Sequence, residues 1–119
     1  MPVLPAGTAK ITIVQAVSAG SPPFSFLMEL NNAAWSVYQT GTHSSQYLWC
    51  AAQWSKRTVD LAPAPYNYDT LAHLLYLLRF FYEAEAMQQH AMAVAMARQA
   101  KAVATTYEQE LEKMMKRTL

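Results

Sequence analysis

Three histidines, one cysteine and eight carboxylates are the groups from which this 119-residue chain would build a reactive or metal-binding site. Glu83, Met87 and His90 stand at i, i+4 and i+7, so a helix would carry them on one face, as one edge of a metal site or haem pocket. Carboxylate-bridged metal bundles need Glu-x-x-His on paired helices. Here Glu83 and Glu85 precede His90 by seven and five residues, and no His-Glu-x-x-His occurs. The pattern fits a solvated helix face better, and neither a metal nor a cofactor is expected. Nucleophilic catalysis needs Ser, Thr or Cys beside a base and an orienting group. His43 lies seven residues from Cys50, and nothing around Cys50 is electropositive. Gly-x-Ser-x-Gly and glycine-rich phosphate loops are absent; the only glycines are Gly7, Gly20 and Gly41. Glu83 and Glu85 would face different sides of a helix, so they form no acid–base pair. No catalytic constellation is visible, and the chain reads as non-enzymatic.

Nucleic-acid binding would use Lys56 and Arg57 with Lys113, Lys116 and Arg117, and Trp49 or Trp54 for stacking. Against it, Glu108, Glu110 and Glu112 adjoin the C-terminal cluster. Acidic residues followed by basic ones toward a helix C-terminus are what the helix dipole and i,i+4 pairing favour. The net charge of +1 adds no overall pull toward a polyanion or membrane. Nucleic acid is therefore the alternative partner rather than the expected one.

The apolar residues carry the stronger signal. Hydrophobic residues make up 53% of the chain and charged residues 14%, against about 25% charged in an average soluble domain. Residues 1–55 contain only Lys10 and Glu29 as charges, yet they hold Trp35, Tyr38 and Trp49 among other aromatics. Charge depletion with aromatic and Met enrichment is the composition of an interface core. Farther on, Met92, Met96, Val103, Tyr107, Leu111 and Met114 form a narrow stripe like a helix–helix seam, although Gln99 spoils a clean heptad.

These residues need elements to hold them. The chain reads as one mainly α-helical domain over residues 1–119. Residues 1–20 form an extended arm with a short β-branched strand at 10–17, in which Ile11 and Ile13 share a face. A lone strand leaves backbone groups unpaired and invites pairing with another chain. Residues 22–62 form a helical hairpin. In its first helix, Ser21 and Pro22 start the turn, Phe24, Leu27, Leu30, Ala34 and Val37 share a face, and Gly41 ends it. In its second, Thr42, Ser44 or Ser45 is the cap, Tyr47, Cys50, Ala51, Trp54 and Leu61 recur at helical spacing, and Pro63 and Pro65 stop it.

Residues 67–119 contain no Gly or Pro and are rich in strong helix formers. As one straight helix this segment would be roughly 75 Å long, against a radius of gyration near ~13 Å for a globule of this size. It is expected as one long helix covered by a partner, or as a helix pair, with turns conceivable at 88–90 or before a Thr105–Glu108 capping box. The face led by Leu71, Leu74, Leu75 and Leu78 should centre the core.

No apolar run approaches the ~20 residues of a membrane span. Residues 11–19 resemble a signal-peptide core only weakly, because no basic residue precedes Lys10 and Gln15 interrupts the run. An intracellular, cytoplasmic protein is expected, of cellular or viral origin. The reading is a self-associating structural, assembly or adaptor protein whose partners are itself and another protein, working through helical interfaces.

Overall fold

The computed structural model describes residues 23–119. Over these it is mainly helical, with five helices and no strand: α1 (Phe24–Gln39), α2 (Ser45–Leu61), α3 (Pro65–Leu77), α4 (Phe81–Ala97) and α5 (Lys101–Met115). The arm and strand expected over residues 1–20, with Ile11 and Ile13, and the cap expected at Ser21 lie outside the described residues.

The expected hairpin is α1 and α2. Gly41 adopts φ +71° after α1, the left-handed conformation that glycine tolerates best. A relay of short polar side chains then turns the chain. Thr40 Oγ1 accepts from the Thr42 amide at 3.2 Å, and Thr42 Oγ1 accepts from the Ser44 amide at 3.1 Å. Ser44 Oγ in turn caps α2 through the Tyr47 amide at 3.4 Å. The buried face of α2 is rotated from the one expected. Leu48, Ala51, Ala52, Ser55, Thr58 and Val59 face inward, while Tyr47 and Leu61 are exposed. Ala and short hydroxyl residues win these positions because α1 and α3 approach closely. Phe24, expected on the buried face of α1, is also exposed.

Pro65 starts α3 at its first turn, two residues ahead of the expected start at Asn67, where a missing amide hydrogen leaves no bond unmade. Asn67 is buried, and its Nδ2 donates back to the Ala62 carbonyl at 2.7 Å, pinning the α2–α3 corner.

Residues 67–119 are neither one helix nor a pair; they supply most of three helices. The breaks fall at Arg79 (φ 70°) and Gln99 (φ 59°), and a third left-handed residue, Arg117 (φ 58°), ends α5. Each break closes in the same way. The Phe80 amide donates to the Leu75 carbonyl and Arg79 to Tyr76; Ala100 donates to Ala95 and Gln99 to Met96; Thr118 donates to Lys113 and Arg117 to Met114. This is the Schellman pattern, which satisfies the last carbonyls of a helix and reverses the chain. The turns expected at 88–90 and at Thr105 do not form. Gln88 and His90 lie inside α4, and Thr105 and Thr106 inside α5 donate back to the Lys101 and Ala102 carbonyls.

Each helix packs on the next, and α1 also reaches α3. α3 is central. One apolar cluster joins Ala34, Leu48, Ala51, Leu71 and Leu74 across α1, α2 and α3. A second joins Ala72, Ala84 and Met114 across α3, α4 and α5. Alanines at these contacts permit close helix approach. Leu74 has no accessible surface, so its side chain contributes about 2 kcal/mol of apolar burial.

Candidate functional site

A groove of about 570 Å³ opens between α2, α3 and α4. Ala52, Leu71, Leu75 and Met87 supply apolar lining, and Trp49 stands beside them with 49% of its surface exposed. The concavity follows from side-chain size. Ala52 is the small residue between Trp49 and Lys56 on α2, so α2 is low where its neighbours are tall. Gln53, Lys56, Arg57 and Asp60 from α2 and Glu83 from α4 complete the lining. Lys56 Nζ lies 2.6 Å from Asp60 Oδ1, an exposed i,i+4 pair that contributes little to stability.

The wall beside Leu71 is held in place by a polar cluster around His73, whose surface is 1% exposed. His73 Nδ1 lies 2.7 Å from the Asp69 carbonyl oxygen, and Nε2 lies 2.8 Å from Glu110 Oε1 on α5. The imidazole thus bridges the Asp69 backbone on its own helix and the Glu110 carboxylate on α5. Trp35 and Tyr38 stack on each other at 4.7 Å, and both meet the imidazole edge-on, with ring centroids 5.2 and 5.1 Å from it. From α4, Gln88 Nε2 donates to Asp69 Oδ1 at 2.9 Å and to the Tyr107 carbonyl at 3.2 Å. Four helices therefore share one network.

Burial pushes the Asp69 carboxyl above the usual range, against the opposing pull of His73 and the Gln88 hydrogen bond. Burial acts upward on Glu110 as well. There the hydrogen bonds and charges of His73 and Lys113 prevail, and its carboxyl lies below the usual range. The phenols of Tyr38 and Tyr107 are raised, first by burial and then by the nearby carboxylates. Glu110 and the Asp69 carbonyl occupy opposite edges of the imidazole, so this cluster does not converge on one point. Among the described residues no group of three or more His, Cys, Asp and Glu side chains is arranged to hold a metal ion. Glu83 and His90 are exposed, and His90 stacks on Tyr68 at 5.2 Å.

The structure sorts the residues singled out from the sequence. Trp49, read both as an interface residue and as a stacking partner of Lys56 and Arg57, lines the same groove as those two cations. Met96 and Val103 are exposed on either side of the α4–α5 turn, and Met92 is half-buried. Trp35 and Tyr38 are half-buried against His73 instead of lying open on α1. Leu111 and Met114 are interior, and Tyr107 is half-buried. The continuous stripe from Met92 to Met114 does not form, because the left-handed Gln99 resets the helical phase and folds α5 back. Met114 then packs against Ala72 and Ala84.

Lys113 pairs with Glu110 at 3.1 Å and Arg117 with Glu85 at 2.8 Å, while Lys116 is exposed. The groove walls Leu71 and Leu75 were legible only as core. Nothing in sequence spacing marks which core residues a small neighbour leaves open. No helix among the described residues is long and apolar enough to cross a membrane. Comparison with protein-family models, with curated proteins and with solved structures finds no match.

Proposed function

We propose that this is a non-enzymatic helical interaction protein that associates with a second copy of itself through the α2–α4 groove and serves an assembly or adaptor role. The observation that carries the reading is the groove itself: an apolar trough beside a half-exposed Trp49. Grooves of this kind accept an amphipathic helix, and Trp is the commonest anchor of binding energy at interfaces. The charge-poor composition of the first 55 residues and the exposed Met96 and Val103 support the same reading.

A second reading rests on the meeting of Trp49, Lys56 and Arg57 in that groove, which would suit stacking and phosphate contact with a single strand. The ion pairs Lys56–Asp60, Lys113–Glu110 and Arg117–Glu85 weigh against it, because they place carboxylates beside three of the five candidate cations.

Trp49→Asp tests both. Truncating an interfacial hot spot costs on the order of 2 kcal/mol or more, so self-association measured by light scattering should weaken about 30-fold or more, with the helical circular dichroism unchanged. Oligonucleotide binding by fluorescence anisotropy should be weak at physiological salt. Tight, steeply salt-dependent binding lost in Lys56→Glu/Arg57→Glu would favour the second reading instead.

A further inference from the structure

At the C-terminal end of α3 a smaller pocket, of about 350 Å³, is lined by His43, Tyr76, Leu77, Arg79, Phe81 and Arg117. Its two arginines occupy equivalent slots. Each is the left-handed residue that ends a helix, Arg79 after α3 and Arg117 after α5. The Schellman turns bring both guanidinium groups to the Phe81 ring at the start of α4, Arg117 with Cζ 4.0 Å from the ring centroid and Arg79 at 5.5 Å. Tyr76 packs against the same ring at 5.2 Å and 67°.

The two arginines differ in their partners. Arg117 is engaged: Nη1 donates to Glu85 Oε2 at 2.8 Å and to the Met114 carbonyl. Arg79 is exposed and makes no ion pair with any described carboxylate. A guanidinium stays charged at every accessible pH. The pocket thus carries two fixed positive charges and His43 against the single carboxylate of Glu85, with aromatic and aliphatic walls.

We infer that this pocket is a binding site for a small carboxylate with a flat apolar body, with Arg79 as the fork that takes the carboxylate and Tyr76, Leu77 and Phe81 as the walls that take the body. A guanidinium presents parallel N–H donors that match a carboxylate in a bidentate pair, and its stacking on Phe81 pre-orients it. The volume falls at the small end of ligand pockets, ~300–1,000 Å³. Inorganic phosphate would satisfy the charge but leave the aromatic walls unused, so an aromatic acid should be preferred.

Titration of the full-length protein with benzoate, followed by chemical-shift perturbation, tests the site. Benzoate should perturb Tyr76, Arg79 and Phe81 and should bind at least tenfold more tightly than the neutral benzamide. Arg79→Gln should weaken benzoate at least tenfold with unchanged helical circular dichroism, and Arg79→Lys, which keeps charge but loses the fork, should give an intermediate loss. Glu85→Gln removes the competing carboxylate and should tighten binding. The inference is overturned if benzoate does not bind, if it binds wild type and Arg79→Gln alike, or if inorganic phosphate binds as tightly as benzoate.

Discussion

His73 shows how one residue can be structural while its chemistry looks reactive. An imidazole between two acidic residues resembles acid–base machinery, yet its ring is enclosed by Trp35, Tyr38 and four helices. Its hydrogen bonds tie α3 to α5, and breaking a bond to a charged, mostly buried partner costs on the order of 1–3 kcal/mol. The two carboxylates of the cluster respond to pH with opposite signs. Glu110 is shifted below its ordinary 4.5, so the stability it contributes is complete above that value and is lost as pH falls through the folded-state value. Asp69 is shifted above its ordinary 3.8, so its contribution is present below that value and is lost as pH rises through the folded-state value. Glu110→Gln should therefore destabilise the protein at neutral pH by about 1 kcal/mol and much less at about pH 3. Asp69→Asn should change in the other direction, being better tolerated at neutral pH than in acid. Urea unfolding of the three proteins at the two pH values checks this; an equal loss at both pH values for Glu110→Gln would contradict it.

The elements were partly legible because some of their boundaries are written in glycine and proline. Gly41, Pro63 and Pro65 bracket α2 and start α3, and the helical hairpin over 22–62 was readable from them. The boundaries at Arg79 and Gln99 carry no such mark. There a tertiary demand, the packing of α4 on α3 and of α5 on α4, overrides a local preference by forcing an ordinary side chain into left-handed backbone. That conformation costs a non-glycine residue on the order of 1 kcal/mol. Gln99→Gly should relieve it and raise stability by up to about 0.5 kcal/mol after the added unfolded-chain entropy is deducted. Gly41→Ala should lose a similar amount by backbone strain alone, since no atom lies within 4 Å of the added methyl. Calorimetric melting of both variants tests the pair of signs. Leu75 and Phe80, joined by the backbone bond that closes the α3 turn, are both apolar, as the Schellman turn favours at these two positions, a signal visible in the sequence once the turn type is known.

At the scale of the whole molecule, folding of the described residues into five short helices answers part of the covering problem posed by the composition. Leu111 and Met114, which a single straight helix would have left for a partner, are satisfied within the chain. What remains open is spread over the helices: Phe24 and Met28 on α1, Trp49 at the groove, Tyr82 on α4, Met96 and Val103 at the α4–α5 turn, and Met115 at the end of α5 among others. Trp49, Lys56 and Arg57 were legible as candidates because an indole can anchor or stack and the two adjacent cations can contact phosphate. That they share one groove was not, because it depends on the rotation of α2 and on the small size of Ala52. The core cluster around His73 was illegible for a related reason: its partner Glu110 lies 37 residues away on a different helix.

The central claim, association of two copies through the groove, is tested most directly by sedimentation equilibrium of the intact protein across micromolar concentrations. The account predicts a mass above the 13.4 kDa of one chain that falls toward it on dilution, and a shift to the single-chain mass for Trp49→Asp at concentrations where the wild type is associated. A single-chain mass at every concentration, the same for wild type and Trp49→Asp, would contradict it.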